Sequence, residues 1–163
     1  MLGDNPDQKL LLILNETIAT PIYTALSYHY STTLTLSGWE GLTLAELLQP
    51  TLIILSTELT DLTGFAVCRM LKRMSNGLPS PLVLMVDSLE PAATGLDNMQ
   101  KACAAGTDYY HLLPIGNTKS LLVLLEFILN PKGKIYVNYL KHCREYPPGT
   151  STFAARANHA DGA

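Results

Sequence analysis

The chain has 163 residues, 47% of them apolar and 15% charged, with a formal net charge of -3. This composition can bury one hydrophobic core and is too apolar for a disordered protein. The slight acidity gives no reason to expect nucleic acid as the main partner.

Residues 1–8 read as an N-terminal extension, too polar before the first apolar run to be a secretory signal. "KLLLIL" (9–14) is a continuous apolar run, the pattern of a strand covered on both faces. "ETIATPIYTALSYHY" carries Ile18, Ile22, Ala25, Leu26 and Tyr30 at helical spacing, with Pro21 expected within about the first turn. "TTLTLSG" alternates Thr with Leu, as in a more exposed strand. "TLAELLQ" follows as a short helix, its Thr43 and Glu46 at capping-box spacing.

"TLIILS" is a second buried strand, ending at Ser56. After a polar loop, "GFAVCRMLKRMSNG" reads as a helix with Phe65, Cys68, Met70 and Leu71 available for burial. "PLVLMV" is a third buried strand, "LDNMQKACAAG" a helix closed by Gly106, and "DYYHLL" a further strand. "NTKSLLVLLEFIL" starts at an Asn or Thr cap and ends before Pro131.

The fold class expected from this order is α/β: a five-stranded parallel sheet flanked by helices on both faces, (βα)5 and flavodoxin-like. The domain spans residues 9–130. Residues 131–146 form a C-terminal amphipathic segment, and 147–163 have the composition of a disordered tail. No apolar run approaches the roughly 18 residues of a membrane span. The three cysteines, Cys68, Cys103 and Cys143, are odd in number and form no CxxC pair, which fits a reduced, cytoplasmic setting.

In an open parallel sheet, ligands gather beyond the C-terminal strand ends. Asn15 and Glu16, Ser56, Val86 and Leu113 are the residues expected there.

Four segments carry a resemblance: "LLLILNE", "QPTLIILSTELTDLTGFAVCRMLK", "PSPLVLMVDS" and "KACAAGTDYYHLLPI". Together they resemble the CheY-like receiver domain of two-component response regulators, over about residues 8–130. The central segment is the most specific, with Pro50, Leu59, Asp61, Gly64, Phe65, Val67, Cys68 and Leu71 where that family commonly has such residues.

The family's phosphorylation residues do not carry over. A working receiver has two acidic residues after its first strand, a phosphoacceptor Asp after the third, a Thr or Ser after the fourth and a Lys after the fifth. The matching positions here hold Asn15 and Glu16, Ser56, Val86 and Leu113. The resemblance therefore implies a degenerate pseudo-receiver.

The chemistry agrees. One carboxylate among neutral oxygens holds Mg²⁺ poorly, and neither leucine nor valine can meet the charge of a transferring phosphoryl group. Ser56 lacks a base to activate it, and the pocket has no acid–base pair. No enzyme, cofactor or metal site is expected, and Ser56 is read as a small polar filler. His111 has no second ligand at metal spacing.

The expected function is protein–protein interaction in signal transduction, independent of phosphorylation. Receivers commonly dock through their fourth helix, fifth strand and fifth helix. Here that face would include Tyr109, Tyr110, His111, Asn117 and Lys119, with Asp108 beside them, and could support a homodimer. Tyr110 matches the family's rotating aromatic and is expected as a fixed part of the surface. Two alternatives are a small-molecule-binding or Ser56-phosphorylated regulatory module, and a DNA-linked regulator using the basic residues after Pro131.

Overall fold

The computed structural model describes residues 5–74, 81–88, 92–113 and 118–130. Five strands alternate with five helices: β1 (Asn5–Ile13), α1 (Glu16–Ser27), β2 (Tyr30–Thr35), α2 (Gly38–Leu48), β3 (Leu52–Ser56), α3 (Gly64–Arg73), β4 (Leu82–Ser88), α4 (Ala92–Ala105), β5 (Tyr109–Leu113) and α5 (Lys119–Leu129). The sheet is wholly parallel in the order β2-β1-β3-β4-β5. This is the five-stranded parallel α/β architecture expected from the alternation of strand and helix patterns, with a flavodoxin-like strand order.

Side-chain alternation along the strands divides the core into two layers. Leu10, Leu12, Ile54, Leu84 and Val86 face a layer shared with Ile18, Ile22 and Leu26 of α1 and Leu121, Leu124, Leu125 and Ile128 of α5. Leu11, Ile13, Ile53, Leu55, Val83 and Met85 face the opposite layer, with Leu42 of α2, Val67, Cys68 and Leu71 of α3, and Ala102 and Ala105 of α4. Strands buried on both sides are apolar along most of their length, and β3 is buried from Leu52 through to the polar Ser56 at its end.

Several boundaries differ from the sequence pattern for identifiable reasons. β1 starts at Asn5, with a register shift against β2 between Asn5 and Lys9. α1 begins at Glu16, so Pro21 is its sixth residue and lies past the first turn. Its missing N–H leaves the Thr17 carbonyl without an in-helix donor. Both residues are exposed, so water can take that carbonyl.

α2 begins at Gly38, five residues before Thr43. Its cap is Ser37, whose Oγ accepts the Glu40 N–H at 3.2 Å. The Ser37–Glu40 pair, not Thr43–Glu46, has the start-signal spacing in use. Thr43 lies mid-helix, and its hydroxyl donates back to the Trp39 carbonyl at 3.3 Å.

α3 is described only to its cap at Met74, so Asn76-Gly77 lies outside the described residues. α4 takes in Ala92 to Gly95 ahead of the expected start; alanine's high helix propensity carries it through the glycine. β4 continues past Val86 because Asp87 and Ser88 pair with Leu112 and Leu113 of β5.

Candidate functional site

At the top of β1, Asn15 caps α1: its Oδ1 accepts the Ile18 N–H at 3.2 Å. The Asn15 N–H in turn donates to Ser56 Oγ at 2.9 Å. Ser56 is 0% exposed. The two neutral residues of the strand-end site therefore tie β1 to β3, and the serine hydroxyl is committed inside the fold. Glu16 is exposed in the first turn of α1, where an anion complements the helix N-terminus.

The loop from β3 to α3 packs closely on this point. The Thr57 N–H reaches the Val86 carbonyl at 3.2 Å, and the Gly64 N–H reaches the Thr57 carbonyl at 2.8 Å. A Cβ on Gly64 would lie 2.0 Å from the Ser56 carbonyl oxygen, so only glycine allows this approach.

Asp61, midway along the loop, acts on another element. Its Oδ1 accepts the Gly38 N–H at 2.9 Å, and its Oδ2 accepts the Ser37 hydroxyl at 2.7 Å and the Trp39 N–H at 3.2 Å. The Gly38 N–H and the Ser37 hydroxyl lead in holding its carboxyl down to about 2. The loop is thus bonded to the start of α2.

Val86 and Leu113 do not line the site. Both are buried in the layer beneath α1 and α5. The residue that leaves β4 on the other face is Asp87, one position beyond the apolar run "PLVLMV". The alternation Val83, Met85, Asp87 was the available signal. Asp87 Oδ2 accepts the Asn98 side-chain amide at 2.6 Å and the Tyr110 hydroxyl at 3.1 Å.

The expected contact face is also rearranged. Tyr110 is 9% exposed and belongs to the core layer with Met85 and Ala102, so it is no surface residue. Burial, reinforced by the Asp87 charge, pushes its phenol well above the ordinary tyrosine value. Asp108 is 1% exposed. It pairs with Lys72 Nζ of α3 at 2.5 Å and accepts the Val83 N–H at 2.9 Å, so it braces the core instead of joining a patch.

Tyr109 is half-buried against the α1–α5 layer. His111 is half-buried too, with Nε2 3.1 Å from Ser120 Oγ of α5, and burial holds its imidazole below the ordinary histidine value. Lys119 is exposed, as is Val123 one turn on. Asn117 and the segments 131–146 and 147–163 lie outside the described residues.

On the opposite side, α2 and α3 leave a groove lined by Trp39, Leu42, Glu46, Met70, Arg73 and Met74. Trp39 is 57% exposed. Among the described residues, no group of three His, Cys, Asp or Glu is placed to hold a metal ion, and no helix is long and apolar enough to cross a membrane.

No family model and no curated protein matches the chain by sequence. Solved structures match it by shape. The chemotaxis response regulator CheY4 of Vibrio cholerae is 22% identical, with a TM-score of 0.63 over 74% of this chain and 98% of that one. The signal receiver domain of a response regulator from Bermanella marisrubri is also 22% identical, with a TM-score of 0.60 over 77% and 100%. The receiver domain of the Francisella response regulator 1452 is 18% identical, with a TM-score of 0.59 over 79% and 100%. The class these likenesses define is one of fold: the chain has the fold of response-regulator receiver domains.

Proposed function

We propose that the chain is a pseudo-receiver: a signal-transduction module that keeps the receiver fold, does not take up phosphate, and acts by binding a protein. The observation that carries this reading is the Asn15–Ser56 bond. The position where a receiver needs an acidic acceptor holds a serine, fully buried, whose oxygen is occupied by a backbone N–H. Leu113 and Val86, at the positions where a receiver has its Lys and its Thr or Ser, are buried in the core and give no cation and no hydroxyl. A phosphoryl group meets neither a nucleophile nor charge stabilisation there.

The same burial weighs against a serine kinase reaching Ser56. Docking then falls to the outer surface of α4, β5 and α5, where Tyr109, His111, Lys119 and Val123 are at least partly accessible. Apolar and aromatic groups beside the Lys119 ammonium suit a protein contact.

The test is a partner pull-down with the wild-type chain, Tyr109→Ala combined with Val123→Asp, and Trp39→Ala. Loss of the same partner in the first variant alone is the expected result. Loss with Trp39→Ala alone would move the interface to α2, and retention by both would reject an interaction through either surface.

A further inference from the structure

Asp87, Asn98 and Tyr110 come from β4, α4 and β5. One carboxylate oxygen of Asp87 accepts from both of the others, at 2.6 Å from the Asn98 amide and 3.1 Å from the Tyr110 hydroxyl. A buried phenol needs an acceptor, because its loss of water is otherwise uncompensated. Asp87 supplies that acceptor on the side of the sheet where the Tyr110 ring packs with Met85, Ala102 and Ala105. The amide of Asn98 places the same carboxylate under the middle of α4. Hydrogen bonds to an ionised group are also stronger than neutral ones.

We propose that Asp87 is a latch: it holds Tyr110 inside the sheet and binds α4 to the β4–β5 pair, so that the α4–β5 face is kept in one conformation by a resident carboxylate. This rests on the proposed function in one respect, that no phosphoryl group sets the state of this face. The carboxylate takes the place of such a signal and is always present. A partner of the face therefore meets a preformed surface, and changes at Asp87 release Tyr110 and α4 together.

The experiment uses the full chain with tetranitromethane as the probe of tyrosine access, and segment-resolved hydrogen exchange as the probe of α4. Tyr28, 79% exposed, is the internal reference for rapid nitration. In Asp87→Ala, nitration of Tyr110 and exchange across Ala92–Ala105 are both expected to rise about tenfold or more, while β1 and β3 keep their protection. Asp87→Asn retains an acceptor without the charge and falls between the two. Rates within about twofold of wild type at both places in Asp87→Ala overturn the latch, since packing alone would then hold the ring.

If β1 and β3 also lose protection in Asp87→Ala, Asn98→Ala decides. It removes only the α4 arm, and exchange in α4 about threefold faster with β1 unchanged supports the latch. Unchanged exchange there overturns it. Phosphoryl uptake by the wild-type chain would reject the proposed function and leave these rates untouched, so the two failures are separable.

Discussion

Asp61 holds the N-terminus of α2 from a loop more than twenty residues downstream: its Oδ1 accepts the Gly38 N–H at 2.9 Å. Because the Ser37 hydroxyl and the Trp39 N–H also point at this carboxylate, the β3–α3 loop and the start of α2 form one unit. The folded-state value of about 2 lies below the ordinary aspartate value of about 3.9. A depressed value means that the charged form is favoured by folding. The stabilisation is complete above about pH 4 and is lost as pH falls toward about 2. Thermal melts between pH 5 and 2 should show the wild type losing stability in that window. Asp61→Asn should start lower and change less across it.

Gly64 is a stricter constraint. A methyl group there meets the Ser56 carbonyl at 2.0 Å, and backbone cannot yield as a side chain can. Gly64→Ala should cost about 3 kcal/mol or more in chemical denaturation, or abolish folding. Gly106→Ala provides the contrast. Its φ of +93° disfavours a side chain, while the nearest atoms are 3.4 Å or more away. That change should cost only roughly 1–2 kcal/mol.

The Lys72–Asp108 pair joins α3 to the start of β5. Asp108 is almost fully buried and also accepts the Val83 N–H, while Lys72 additionally donates to the Pro81 carbonyl at 3.2 Å. Removing one partner leaves the other in a place with little water. Asp108→Ala should therefore destabilise the chain by roughly 3 kcal/mol in urea unfolding. Lys101 and Asp97, an exposed pair one helical turn apart, should contribute no more than about 0.5 kcal/mol when either is changed.

His111 gives a second acid limb. Burial lowers its value in the folded chain, so the unfolded chain binds the proton first as pH drops. Stability is intact above about pH 6.5 and declines as pH falls below it. His111→Gln can keep a hydrogen bond to Ser120 without titrating. Its unfolding midpoint should stay flat between pH 7 and 5, where the wild type declines.

The strands and their order were legible because β3 and β4 are apolar at successive positions, which only two-sided burial produces. Helix starts were less so. Thr43 and Glu46 have capping-box spacing but lie inside α2, and the true start depends on Asp61, a residue no local window contains. At the site, the apolar run ends at Val86, while the face toward α4 continues to the polar Asp87, which an apolar pattern does not mark. Tyr110 was visible as an aromatic beside that position; its direction was not, because inward placement depends on the acceptor that Asp87 supplies. The roles of Asn15 and Ser56 as partners in a bond between β1 and β3 follow from strand adjacency, which spacing along the chain does not encode.

Whether this receiver fold has given up phosphoryl chemistry is tested most directly by incubating the folded wild-type chain with ³²P-labelled acetyl phosphate and Mg²⁺ and following protein-bound label. No incorporation above a heat-unfolded control is expected. Label retained by the folded chain and mapped to Ser56, Asp61 or Asp87 would contradict the pseudo-receiver reading.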